Sequence, residues 1–169
     1  MPYFVRPSRN LTAAEKRVAY AEARAAIRAT LGGEADETVR MVTVNCLLKT
    51  YLPYYYWVGF YLVRGPRQLV VGPYQGTLGC LYIEFGRGVC GTVAERGEAR
   101  VVADTHALEQ GREHIACDPN SRSEIVLPVH RADGSLLGVF DVDSTLPASF
   151  DEIDRGELSQ LLAEVFAAG

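Results

Sequence analysis

Ser123-Glu124-Ile125-Val126-Leu127-Pro128-Val129-His130 and Ser135-Leu136-Leu137-Gly138-Val139-Phe140-Asp141-Val142, joined through Ala132-Asp133-Gly134, carry the strongest fold signal in the chain. Both runs are rich in β-branched and large apolar residues. Asp-Gly between such runs is a strong hairpin signal, because both residues tolerate the backbone angles of a tight turn. The pairing is therefore antiparallel. On the C-terminal side a helix is predicted from Asp151, with Leu158, Leu161, Leu162, Val165 and Phe166 falling at i, i+3, i+4, i+7 and i+8. On the N-terminal side strands are predicted over 57–63 and 68–72, joined by the turn Arg64-Gly65-Pro66-Arg67. A short strand over 81–85 leads into Gly86-Arg87-Gly88, a short helix over 89–95 stops at Gly97, and residues 99–103 read as another strand. The nineteen residues 104–122 are polar and show no period. Ordered loops of that length tend to carry function.

Two helices precede the strands. Thr12-Ala13-Ala14-Glu15 is a capping box, in which the threonine hydroxyl and the glutamate carboxylate satisfy backbone donors at the helix start. Alanine-rich sequence runs on to Leu31 and ends at Gly32-Gly33, with Val18, Ala21 and Ala25 as the expected apolar face. A second helix over 36–50 carries Val39, Val42, Cys46 and Leu47 near helical spacing, and Pro53 closes it. The order is helix, helix, antiparallel strands broken by a loop-rich excursion, then helix. This predicts a single α+β domain over residues 1–169, an antiparallel sheet with helices mainly on one face and a loop-rich pocket on the other.

Bulk composition removes several function classes. A net charge of −4 and the absence of a basic run argue against nucleic acid as a partner. The longest apolar run, residues 51–63, is too short to span a membrane and contains Pro53 and Gly59. Arg6 interrupts the apolar start, and no secretory signal follows it. A cytoplasmic location is expected, where four cysteines point to redox, catalytic or metal chemistry rather than to a disulfide framework.

Cys80, Cys90 and Cys117 stand ten and twenty-seven residues apart, with no CxxC pair among them. Cys117 has Asp118-Pro119-Asn120-Ser121 after it and His114 before it, an unfavourable setting for a cysteine used as a small hydrophobe. A protonated His114 would lower the thiol pKa, and the thiolate is the attacking form. Cys90 falls at the predicted start of a helix, where exposed N–H groups favour a thiolate; packing is the alternative for both Cys90 and Cys80. Cys46 is expected in the core. Zinc held by His106, His114, Cys80, Cys90 and Cys117 is disfavoured, because structural zinc sites use close ligand pairs and only His114-Ile115-Ala116-Cys117 approaches one.

Asp141 and Asp143 project to one face of their strand by alternation. Like charges so placed repel unless a cation or a set of donors lies between them. The functional reading is an anionic clamp for an ammonium group, completed by Glu124 from the neighbouring strand; the alternative is a solvated strand end. Trp57 and Tyr61 also share a face, as the walls of an apolar slot or, on pattern alone, as core.

Together, Trp57-Val58-Gly59-Phe60-Tyr61, Gly72-Pro73-Tyr74-Gln75-Gly76, Gly86-Arg87-Gly88-Val89-Cys90-Gly91, His114-Ile115-Ala116-Cys117-Asp118, Ser123-Glu124-Ile125-Val126 and Gly138-Val139-Phe140-Asp141-Val142-Asp143-Ser144 resemble the free methionine-(R)-sulfoxide reductases, single-domain enzymes of the GAF fold. Two departures, Tyr56 in place of a common Asn and Gly79 in place of a common Ala, are expected to leave the chemistry untouched. The resemblance implies that Cys117 attacks the sulfoxide sulfur of the free amino acid. One of Glu124, Asp141 and Asp143 would supply the proton and the others would hold the substrate ammonium. Cys80 or Cys90 would resolve the Cys117 sulfenic acid to a disulfide recycled by thioredoxin, and Trp57 and Tyr61 would pack the methyl and methylene groups. It also implies a role in oxidative stress, no bound cofactor, and a homodimer, with which the small-residue face of the first helix is compatible. The rivals are a GAF module sensing a small ligand, which normally sits in a longer chain with an output domain, and a thiol redox sensor without turnover.

Overall fold

Helix α1 (Ala13–Leu31) starts where the capping box puts it: the Glu15 N–H donates to Thr12 Oγ1, and the Thr12 N–H donates to the Glu15 carboxylate at 2.8 Å. The computed structural model describes residues 9–108 and 117–167. After α1 come α2 (Glu37–Tyr51), β1 (Trp57–Val63), β2 (Gln68–Gln75), β3 (Tyr82–Glu84), α3 (Gly88–Arg96) and β4 (Arg100–Val102). A 3-10 turn (Thr105–Ala107) precedes β5 (Ser123–His130), β6 (Leu136–Ser144) and α4 (Glu152–Leu162), whose last turn widens over Ala163–Ala167. The six strands form one antiparallel sheet in the order β3-β2-β1-β6-β5-β4. The α+β architecture stands as expected.

Alternation divides the sheet into two faces. Val58 and Phe60 of β1, Ile125 and Leu127 of β5, and Phe140 and Val142 of β6 are buried against α1, α2 and α4. Trp57, Tyr61, Val126 and Val139 point the other way, into a second apolar cluster with Val89, Cys90 and Val93 of α3. This second face holds the site. At Gly138 the central strands meet so closely that a Cβ would lie 2.0 Å from the Tyr61 carbonyl oxygen. Only glycine allows that approach.

Strand limits shift from the expected ones in a way that matters: β2 runs on to Gln75, and β6 continues past Val142 to Ser144, which brings Asp143 inside the ladder. The helices correct the sequence reading more sharply. Val18, Ala21 and Ala25 face outward, Val18 being 58% exposed, while Lys16, Ala19, Tyr20, Ala23 and Ile27 are buried. In α2 the buried residues are Met41, Val44, Asn45 and Leu48; Val39, Val42 and Cys46 are exposed. Cys46 is therefore not core. The cause is a buried polar network that disguises the inward stripe of α1. Lys16 Nζ donates to Asp154 at 2.5 Å, to Asp151 at 2.9 Å and to the Ser149 carbonyl at 2.8 Å, and Tyr20 and Tyr54 also donate to Asp154. A buried charge is tolerable when fully partnered like this. Among the described residues no helix is long and apolar enough to cross a membrane.

Candidate active site

Register brings the acidic residues together. Asp143 of β6 is paired with Trp57 on one side and Glu124 on the other, so these three side chains form a row across three strands. One step along, Asp141 lies between Gly59 and Val126. All project into one cleft of about 550 Å³, open mouth included, whose lining adds Tyr56, Tyr61, Cys90, Cys117, Asp118 and Ser121. Trp57 stacks on Tyr61 with ring centroids 5.7 Å apart and on Tyr74 at 5.1 Å. The pair thus forms a wall of the cleft as well as part of the second apolar cluster, so slot and packing are one and the same.

Three carboxyls on one dry floor cannot all ionise freely. Burial first, then repulsion from Asp141 and Asp143, pushes Glu124 well above the ordinary carboxylate range. Burial followed by the Asp143 charge does the same to Asp141. Asp143 is raised to about 7 by burial, moderated by the donated hydroxyl of Ser121. Among the described residues the Asp141 Oδ1 oxygen is buried without a hydrogen-bond partner. Such a floor holds shared protons near neutrality and receives a cation well.

The cysteines divide into two roles. Cys80, in the loop before β3, is joined to Cys117 in a disulfide with Cα atoms 5.4 Å apart. Cys117 is exposed and Cys80 half-buried. Cys90 is a buried free thiol in the first turn of α3. The helix terminus was expected to favour its thiolate, but burial and the facing carboxylates win and push its pKa up. It is held neutral. The ligand atoms of Cys90, Glu124 and Asp141 lie within 4.8 Å of one another, a set unlike the zinc ligands weighed from sequence. Two of those are bonded to each other, His106 is exposed, and His114 falls outside the described residues.

Residues that the sequence reading passed over hold the disulfide's neighbourhood together. Asp118 Oδ2 accepts the Tyr56 hydroxyl at 2.9 Å and the Thr77 hydroxyl at 2.6 Å, while Oδ1 accepts the Asn120 backbone and side-chain amides at 2.8 Å each. These donors outweigh desolvation and hold Asp118 below its usual pKa. The Trp57 indole N–H donates to the Thr77 carbonyl at 3.0 Å. Asp118 therefore ties the Cys117 segment to the head of β1 and to the loop carrying Cys80. Its Asx-turn spelling, Asp-Pro-Asn, was the available signal. The two departures border the site. Tyr56 supplies one of these bonds, and a Cβ at Gly79 would lie 2.9 Å from Tyr61 Oη and 3.1 Å from the Trp57 ring.

The sequence pattern of the GAF domain matches residues 23–168. Protein YtsP of Bacillus subtilis is 44% identical over 128 residues, covering 75% of this chain and 76% of that protein. The free methionine-R-sulfoxide reductase of Escherichia coli is 38% identical over 146 residues, 86% of each chain. The X-ray structure of free methionine-R-sulfoxide reductase from Neisseria meningitidis in complex with its substrate superposes with a TM-score of 0.82 at 37% identity, covering 93% of this chain and 91% of that one.

Proposed function

Since the chain belongs to the GAF family and, within it, to the free methionine-(R)-sulfoxide reductases, we propose that it reduces free methionine (R)-sulfoxide through Cys117. One observation carries this reading: a joined Cys80–Cys117 pair beside a cleft floored by the buried carboxyl groups of Glu124 and Asp141 and the half-buried one of Asp143. In the reduced enzyme the Cys117 thiolate attacks the sulfoxide sulfur. A proton from the Glu124–Asp141–Asp143 cluster neutralises the sulfoxide oxygen, which passes to Cys117 as a sulfenic acid while methionine leaves. The Cys80 thiol then attacks that sulfur and the oxygen departs as water. Two thiols and one sulfoxide thus become one disulfide, one methionine and one water.

The raised carboxyls support the acid role, since only a group still protonated near neutrality can donate. Ionised members of the cluster hold the ammonium. A peptide-bound methionine lacks that ammonium, which accounts for selectivity toward the free amino acid. Trp57 and Tyr61 pack the methyl and methylene groups. The closed Cys80–Cys117 bond favours Cys80 over Cys90 as the resolving thiol, and the raised pKa of Cys90 agrees. No bound cofactor is needed, with thioredoxin as reductant. We place the protein in the cytoplasm as a homodimer, the exposed Val18, Val39 and Val42 supporting an outward apolar helical face.

The test is NADPH oxidation coupled through thioredoxin reductase and thioredoxin, with free methionine (R)-sulfoxide as substrate. Wild-type protein turns over and Cys117→Ser does not. Asp143→Asn raises KM if Asp143 only binds the ammonium and lowers kcat if it donates the proton. No turnover by wild type, with the disulfide still forming under peroxide, would favour a thiol redox sensor instead.

A further inference from the structure

The loop carrying the half-buried member of the disulfide is unusually apolar on its outside. Leu78, Leu81 and Tyr82 are 74%, 59% and 64% exposed. They bracket Cys80 within five consecutive positions and make up half of the six large apolar side chains left exposed among the described residues. Leu81 lies beside β2, its carbonyl accepting the Val71 N–H at 3.0 Å, and Tyr82 opens the edge strand β3, whose last residue, Glu84, is also exposed. Neither apolar residue is needed by the sheet, whose inward residue here is Ile83. Clustered exposed apolar side chains mark a surface that another molecule covers.

We infer that the surface formed by Leu81 and Tyr82, with Leu78 at its inner edge, is the docking face for the protein dithiol that reduces the Cys80–Cys117 disulfide. The occupant follows from the chemistry beside it. This inference rests on the proposed catalytic cycle, which leaves the enzyme oxidised after each turnover and in need of two electrons. A thiolate delivering them must reach one of the two sulfurs, so the protein bearing it has to press against the surface around the two cysteines. Around Cys80 that surface is apolar. Cys117 is the exposed partner and takes the attack: the reductant's thiolate bonds to the Cys117 sulfur, and the Cys80 sulfur leaves as a thiolate and is protonated. The reductant's second thiol then attacks its own sulfur in the mixed disulfide and releases the Cys117 thiolate. Two electrons pass, the reductant ends as a disulfide, and its two protons go to Cys80 and Cys117. A protein dithiol with an apolar rim around its own redox pair, of the thioredoxin class, fits both the sulfur chemistry and the surface.

Reductant size provides the test, because a small dithiol needs no docking face. Leu78 also lines the cleft and is left unaltered. Wild type, Leu81→Ser, Tyr82→Thr and the double variant, all oxidised beforehand, are reduced either by thioredoxin kept reduced with its reductase and NADPH or by dithiothreitol. The expected result is a rise of about tenfold in KM for thioredoxin in the double variant, with the dithiothreitol rate and single-turnover disulfide formation by the sulfoxide both unchanged. Wild-type thioredoxin kinetics in the double variant would overturn the inference, as would equal losses with both reductants. Sedimentation that changes from dimer to monomer while thioredoxin kinetics stay unaltered would assign the surface to a second copy of the chain and overturn it too. If the sulfoxide fails to oxidise even wild type, the catalytic reading falls, whereas reduction of the peroxide-formed disulfide still reports on the docking face.

Discussion

At the residue scale, Asp118 shows how a side chain outside the reacting set can govern it. Its carboxylate gathers donors from Tyr56, Thr77 and Asn120, and each hydrogen bond to a charged acceptor contributes about 1.5–3 kcal/mol. Asp118→Asn therefore loosens both cysteine segments. The expected outcome is slower closure of the disulfide after sulfoxide attack, by about tenfold for a loss of roughly 1.4 kcal/mol, read as longer-lived Cys117 sulfenic acid in dimedone trapping. Tyr56→Phe moves in the same direction by less. Unchanged trapping in both variants would show that the segments are held by other contacts. The sequence spelled the Asx-turn at Asp118 but not its partners, because Tyr56 and Thr77 are sixty-two and forty-one residues away.

At the scale of elements, two junctions set stability and register. Asp154 completes the capping box of α4 by accepting the N–H of the N-cap Asp151, and it also accepts from Lys16, Tyr20 and Tyr54. Asp154→Asn leaves the buried ammonium with less compensating charge and is expected to cost about 3–5 kcal/mol in urea unfolding, with activity per folded molecule intact. Replacing Lys16 by Met in the same protein should recover part of that loss. Gly138→Ala drives a methyl into the Tyr61 carbonyl across the β1–β6 ladder. It should cost about 1–3 kcal/mol through overpacking and, unlike the Asp154 change, raise KM for the sulfoxide, because the Trp57–Asp143 pairing rides on that ladder. A stable Gly138→Ala protein with unchanged KM would remove that link.

For the whole molecule, the acidic floor makes stability depend on pH. Asp143 has its folded pKa raised to about 7 from an ordinary 3.8, and Glu124 and Asp141 are raised as well. A raised carboxyl binds its proton more tightly in the folded state, so its contribution is present at low pH and is lost as pH rises from about 4 through 7. Asp118 and Asp151 have lowered values and act oppositely, but only as pH falls below the ordinary carboxylate range. The Tm should therefore fall as pH climbs from 5 to 8. Free methionine, whose ammonium meets an ionised floor only at the upper end, should raise Tm more at pH 8 than at pH 5. An equal rise at both values would argue that the floor does not hold the ammonium.

Legible from the residues alone were the α+β order, the antiparallel hairpin around Asp133-Gly134, the capped start of α1 and the residue types of the site. These rest on local rules: turn geometry, capping and alternation act within a few residues. Only the folded chain shows which helical faces are buried, that Cys46 is exposed, that Cys80 rather than Cys90 lies bonded to Cys117, and that Tyr56 and Gly79 border the site. Those outcomes depend on partners far along the chain. Lys16 can be buried only because Asp154 waits for it, and the Cys90 thiol stays neutral because it is buried and because the register of β5 and β6 sets carboxyls opposite a helix start.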